Sequence, residues 1–210
     1  MGQFDYQRTI IAYHGCDESV REAVLSKGTP LDESANKDDW LGRGSYFWEY
    51  GPQRALEWAK EQGHKNPAVL GVMMHLGNCF DLLDTRNTDW LRKLFPAFQK
   101  ARQAEGVPVP ENDLKQGRHF RDCAVIDWAI DALEKQPGRH YHTVRGVFQE
   151  GKAAFAGSAI RRQSHIQIAV RDRGVIIGYF KPELDKKRSK EYPGVNDENF
   201  QPQRSSASQL

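Results

Sequence analysis

Thr9-Ile10-Ile11-Ala12-Tyr13-His14-Gly15-Cys16-Asp17 is the stretch from which the rest of this chain is read. Its β-branched and apolar start predicts a short strand over 9–13 that delivers His14 and Gly15 to the strand end. Asp17 then reads as a helix N-cap, Val20, Ala23 and Val24 as an apolar stripe, and Gly28 as the stop. A polar loop is expected over 32–39. The block Leu41-Gly42-Arg43-Gly44-Ser45-Tyr46-Phe47 lies in an aromatic stretch whose glycines let the backbone approach a ligand closely. Pro52 suits the first turn of a second helix over 53–62.

Further on, GVMMHLGNCFDLLD (71–84) belongs to a nearly continuous apolar run over 68–76, which predicts a buried strand, followed by an edge or strand end over 81–84. Residues 88–103 and 118–135 read as helices, the second with Phe120, Cys123, Ile126, Ile130 and Leu133 at helical spacing. Pro96 is expected to break or kink the first. The span 86–138 therefore reads as a helical insertion between two halves of a strand-rich core. A strand over 142–149, a loop over 150–163 and a strand over 164–170 follow. In the last of these Ile166, Ile168 and Val170 share one face and His165, Gln167 and Ala169 the other. Gly174 marks a turn, and 175–180 closes the sheet. The fold class is α+β, one domain over 1–184, with a polar tail over 185–210 expected to be flexible.

The chain has 210 residues, 39% of them hydrophobic, with five Trp, which supports one compact core. No apolar run is long enough to span a bilayer. The start, MGQFDYQRTI, lacks the basic and apolar regions of a secretory signal. Met1-Gly2 is read as an ordinary start and not as a myristoylation signal. Three unpaired cysteines, Cys16, Cys79 and Cys123, argue against a disulfide framework and a zinc site and for a reducing, cytoplasmic setting. Cys16 beside His14 raises a Cys-His nucleophile; a structural thiol is the favoured reading. A net charge of +2 neither demands nor excludes nucleic acid. The basic groups Arg161-Arg162, Arg171 with Arg173, and Lys186-Lys187-Arg188 with Lys190 read first as solvated surface.

The ordered set Tyr13-His14-Gly15, Gly44-Ser45-Tyr46-Phe47 and Leu76-Gly77 resembles the catalytic core of the ADP-ribosyltransferases, on the diphtheria-toxin and poly(ADP-ribose) polymerase side of that superfamily. The resemblance covers 9–84 and, more loosely, 143–181. It implies a split, mainly antiparallel β-sheet core with peripheral helices. It also implies NAD as co-substrate, no metal, and cleavage of the nicotinamide-ribose bond through an oxocarbenium-like state. By this resemblance His14 meets a ribose hydroxyl, Gly15 offers its backbone to the nicotinamide amide, Tyr46 stacks on the ring, and Phe47 joins the cofactor-binding set.

Where the polymerase-like enzymes place Glu on a late strand, this chain offers Gln167. Gln can hydrogen-bond a hydroxyl but carries no charge. At an effective dielectric of about 20, a carboxylate about 4 Å away is worth roughly 4 kcal/mol of raw attraction to the cationic transition state. Mono-ADP-ribosyl transfer, without chain elongation, is therefore expected, with Gln167 as ribose anchor and Glu150 folding back as charge donor. The loop over 150–163, with Phe155, Arg161 and Arg162, is expected to face the acceptor, whether protein, RNA or DNA. The analogy extends to a toxin or defence enzyme, with an antitoxin or inhibitor protein as partner and no membrane role. Three alternatives stay open: a non-catalytic NAD or ADP-ribose binding module, a metal-dependent hydrolase built on His140 and His142, and an RNA phosphate-processing transferase on the same fold.

Overall fold

In a computed structural model, residues 6–184 are described. The expectations for Met1-Gly2, for the Lys186–Lys190 cluster and for the 185–210 tail lie outside the described residues. In chain order the elements are β1 (Tyr6–Asp17), α1 (Glu18–Lys27), β2 (Ser45–Glu49), α2 (Pro52–Glu61), β3 (Pro67–Gly77) and β4 (Cys79–Asp81). Then come α3 (Thr85–Ala104), α4 (Phe120–Glu134), β5 (Thr143–Phe148), β6 (His165–Val170), a 3-10 turn (Arg173–Val175) and β7 (Ile176–Phe180). The boundary residues act as their chemistry dictates. Asp17 caps α1 by accepting from Ser19 N, and Gly28 ends it at φ 64°. Pro52 opens α2, where its missing N–H leaves nothing unpaired.

The strands form a mixed seven-stranded sheet in the order β4-β5-β6-β2-β1-β3-β7. Neighbours run antiparallel except β4 and β5, which are parallel. The protein is thus α+β. The parallel pair explains the long helical segment between them. Adjacent parallel strands cannot be joined by a hairpin, so the chain must cross over, and α3 with α4 form that crossover. This segment completes the core: Ile126, Ile130 and Leu133 of α4 are buried with Phe80, Val144 and Ala169 of the sheet. Pro96 does not break α3, which runs on through it. The proline removes one intrahelical bond, while packing of Phe98 against Trp128 of α4 holds the turn in place. The 81–84 stretch also differs from expectation: the strand ends at Asp81, and Asp84 caps α3 by accepting from Arg86 N.

Strand alternation gives the sheet two distinct faces. One carries Ile10, Ala12, Phe47, Leu70, Ile168 and Val170, packed with Val24 of α1. Burial of each such side chain contributes about 1.5–3 kcal/mol relative to exposure. The opposite face is covered by α2 at the β1–β3 side, through Ala55 against Trp48 and Val69, and by α4 at the β4–β5 side. Between those two helices stand the outward residues of β2 and β6.

Candidate functional site

The site begins where β1 and β2 part. Their ladder consists of Ala12↔Glu49 and Tyr13↔Trp48, and it does not continue to His14 and Gly15. Instead the imidazole of His14 donates from Nδ1 to the carbonyl of Tyr46 at 2.8 Å. A side chain takes an acceptor that a neighbouring strand would otherwise use, so the two strands separate. Tyr50 N donates to the carbonyl of Ile11, so Ile11 directs its main-chain groups toward β2. Alternation gives Tyr13 and Gly15 the same direction. The N–H and C=O of Gly15 therefore point into the gap, beyond the last rung of the ladder.

Gly15 also answers a packing demand absent from the sequence reading. A Cβ there would sit 2.1 Å from the carbonyl oxygen of Ala55 and 3.3 Å from the Cβ of Ala59. Only glycine lets α2 lie this close to β1.

His14 lies on the face opposite Tyr46 and Gln167, because it pairs with Leu70 whereas Tyr46 pairs with Ala169 and Trp48 with Gln167. His14 meets Tyr46 only through the bond to its main-chain carbonyl, while Gln167 lies beside Trp48 on the other face. Burial holds the His14 pKa below its usual value, against the opposing pull of the Tyr46 carbonyl. Neutral His14, with its proton on Nδ1, presents Nε2 as an acceptor. Phe47, expected among the cofactor-binding residues, is a core residue. It is fully buried and its ring packs against that of His14, with centroids 5.7 Å apart.

Tyr46 is more than a flat face. Its hydroxyl donates to Gly42 O at 2.6 Å and accepts from Leu41 N at 2.9 Å, and burial pushes its pKa up. The ring thus ties down the glycine turn that precedes β2. Asp127 of α4 holds the same turn from the other side, accepting from Arg43 N at 3.1 Å and from Arg171 at 2.6 Å. A Cβ on Gly42 would lie 2.4 Å from the Asp127 carboxylate. Asp127 and Asp131 were not foreseen, since i,i+4 acids on a helix read as solvated surface.

Gln167 and Glu150 are joined by His165. His165 Nδ1 lies 2.7 Å from Gln163 O, which can only accept, so Nδ1 carries the proton. Burial is the largest influence on its pKa and lowers it; the Gln163 carbonyl and the Glu150 charge oppose that pull, and Arg54 reinforces it. Neutral Nε2 must then accept, and it does so from Gln167 Nε2 at 3.1 Å. The Gln167 amide is thereby oriented, with its NH₂ on His165 and its carbonyl oxygen turned away from that ring. Glu150 does fold back: its carboxylate is 3.6 Å from His165 Nδ1 and 3.2 Å from Arg54 of α2. Arg54 also pairs with Glu61 at 3.3 Å, so its single positive charge is shared between two carboxylates. Nothing in the sequence singles out Arg54; it joins the site because Gly15 lets α2 settle on β1.

A cavity of about 700 Å³ lies between Arg54 and Glu61 of α2 and Lys115 and His119 of the crossover, with Glu150 and Gln163 at one side; of the expected site residues Glu150 lines it, and His14, Gly15, Tyr46 and Gln167 do not. Trp40 and Phe148 give it aromatic walls, their centroids 4.1 Å apart. Among the described residues, Trp48 Nε1 and Arg54 Nε are buried donors without a partner. The loop after Glu150 is an ordered hairpin, closed by Ala154 N to Ile160 O and Arg162 N to Lys152 O. Phe155 is 66% exposed on it. Arg161 and Arg162 are exposed as well.

His140 and His142 gain a third neighbour, Asp172, in a cluster tight enough to hold a metal. Its hydrogen bonds oppose that use. His142 Nδ1 accepts from Asn78 N at 3.0 Å, which leaves the proton on Nε2. His140 lies between Glu134 at 3.2 Å and Asp172 at 3.0 Å, so both of its nitrogens face carboxylates. The cluster ties the end of α4 to the 3-10 turn. A Cys16 nucleophile is also disfavoured, because burial pushes that thiol up to about 11. No helix among the described residues is long and apolar enough to cross a membrane.

No protein-family model matches the chain, and no match is found among curated proteins.

Proposed function

We propose that this protein is an NAD-dependent mono-ADP-ribosyltransferase whose sheet is the split core of that superfamily, opened where β1 and β2 part. One observation carries the reading. The unladdered backbone edge of Gly15 faces the gap at which His14 bonds the main-chain carbonyl of Tyr46. A peptide N–H and C=O side by side complement a carboxamide, which has one acceptor and one donor edge. Nicotinamide is such a group.

In the reaction the bond between the anomeric carbon and the nicotinamide nitrogen breaks. Its electron pair leaves with nicotinamide, which becomes neutral, and the ribose becomes an oxocarbenium-like cation. The acceptor nucleophile then bonds to the anomeric carbon and loses its proton. His14 Nε2 and the Gln167 carbonyl accept from ribose hydroxyls and hold the sugar. Glu150 provides the negative charge of the site through His165, weakened by Arg54. With a neutral residue at the anchor, a second ribose is not activated as acceptor, so transfer stops after one unit. The exposed Phe155 and the cations beside it form the acceptor-facing rim.

The test is release of nicotinamide and transfer of label when purified protein is incubated with labelled NAD and lysate. Single-unit labelling is expected; long polymers overturn the mono-transfer reading. His14→Ala removes a ligand contact and is expected to abolish release while the fold persists. Tyr46→Ala also unties the Leu41–Gly42 turn, so it loses stability together with activity. The neutral Gln167 favours a second reading, a non-catalytic NAD or ADP-ribose binding module. Calorimetric binding of NAD without any nicotinamide release would establish that reading in place of the first.

A further inference from the structure

The crossover helices border a second cavity, open to solvent and of about 460 Å³. Its interior is formed by Leu82 after β4, Leu91 and Phe95 of α3, Ile126 of α4, Phe148 of β5, and Trp40. A volume in the range of roughly 300–1,000 Å³ with apolar walls and a few polar groups is the profile of a small-molecule site.

The walls indicate the guest. Trp40 offers a broad ring, with His119 at 4.3 Å and Phe148 at 4.1 Å between centroids. These surfaces favour a flat aromatic partner. Two guanidinium groups also line the space, Arg92 and an Arg121 already bonded to Pro110 O at 2.8 Å and near Glu111 at 3.6 Å, against one carboxylate, Asp122, engaged by His119 Nδ1 at 3.0 Å. Among the described residues Arg92 pairs only with the exposed Asp89, at 3.1 Å, which an anionic ligand can displace. An anionic substituent is therefore preferred to a cationic one.

The chamber is coupled to the candidate cleft. Trp40, His119 and Phe148 line both cavities, so one layer of rings is the partition. Trp40 is held by a bond from its Nε1 to Gly117 O at 3.2 Å, within the crossover segment. The residue after Ile126 on α4 is Asp127, which grips the glycine turn before β2 and Arg171 after β6.

We propose that this chamber binds a flat aromatic anion, and that its occupation is transmitted to the cleft through the ring of Trp40. The test uses the whole chain and the fluorescent probe anilinonaphthalene sulfonate, followed by fluorescence titration and by NMR of the tryptophan indole N–H groups. The expected result is saturation at one probe per chain, with the Trp40 indole signal shifting and that of Trp58, on α2, staying in place. Val125→Trp fills the chamber from α4 and is expected to weaken binding by at least about tenfold. Arg92→Glu alters an exposed side chain and is expected to weaken it by about fivefold. Binding that does not saturate, an unmoved Trp40 signal, or equal affinity in a folded Val125→Trp variant overturns the proposal. If Val125→Trp does not fold, Arg92→Glu decides, and unchanged affinity there overturns it too. No step uses NAD, so the outcome is readable whether or not the NAD reading holds.

Discussion

Two charged clusters occupy opposite faces of the same sheet, and they behave differently. On the α1 face, Arg145 bonds Glu49 at 2.6 Å and Asp81 at 3.0 Å, and all three are nearly inaccessible. Arg8 completes the pairing of Glu49 at 2.8 Å. On the other face, Arg54, Glu150 and His165 line or adjoin a cavity, and Arg54 Nε has no partner among the described residues. The first cluster is satisfied and closed, and a ligand has no route to it. The second is reachable and incompletely satisfied. Buried charge alone therefore does not mark a site; charge that still has something to bind does.

This contrast is broken most forcefully at Arg145. Arg145→Met leaves Asp81 without its cation and Glu49 with Arg8 alone, and removing one partner from such a buried group costs about 3–5 kcal/mol. Urea unfolding should show that loss, with ligand binding unchanged wherever the variant remains folded. A stability change within the noise would mean that the cluster is wetter than its geometry implies.

Gly15→Ala comes next. The new Cβ must push α2 off β1, an overpacking cost of about 1–3 kcal/mol, and it displaces Arg54 from Glu150 as it does so. Stability and NAD binding should fall together. Stability falling alone would show that Gly15 serves packing and nothing else.

Glu150→Gln sharpens the contrast from the other side. Its ion pair with Arg54 is partly exposed, so the change in unfolding free energy should stay under about 1 kcal/mol. Nicotinamide release should fall by a far larger factor. Full release with unchanged stability would return Glu150 to the surface and leave Gln167 acting alone.

The smallest effect is on pH. Burial lowers the pKa of both His14 and His165 below the usual 6.5. The unfolded chain then binds protons before the folded one. Stability from these groups is full above pH 6.5 and is lost as the pH falls from there toward the folded values. Activity should fade over the same interval, since a protonated His165 cannot accept from Gln167. Thermal midpoints and release rates measured at neutral pH and at about pH 5 check both. In a His165→Asn variant the acid-side loss should shrink, and an unaltered profile would assign it elsewhere.

Much of this was legible in local sequence. The Asp17 cap, the Gly28 stop, Pro52 at the start of α2 and the alternation of β6 all depend on neighbours within a few residues, and each was found where local chemistry places it. His14, Gly15, Tyr46 and Gln167 were also readable as a candidate set. Other features lay beyond that reach. Pro96 stays helical because α4 packs against α3. Phe47 is sequestered because its partner strands put it on the α1 face. The 86–138 segment is a crossover because β4 and β5 run parallel.

By itself, then, the sequence determined the elements, their caps, and which residue types could bind a sugar and an amide, because those properties follow from each side chain and its near neighbours. Only the tertiary structure decided that β1 and β2 part at His14, that His165 orients the amide of Gln167, and that Arg54 and Glu150 meet across residues far apart in the chain. These depend on strand order, on the register that sends each side chain to one face, and on how closely α2 lies on β1. None of those distances is encoded in any single stretch; they arise when the whole core packs at once.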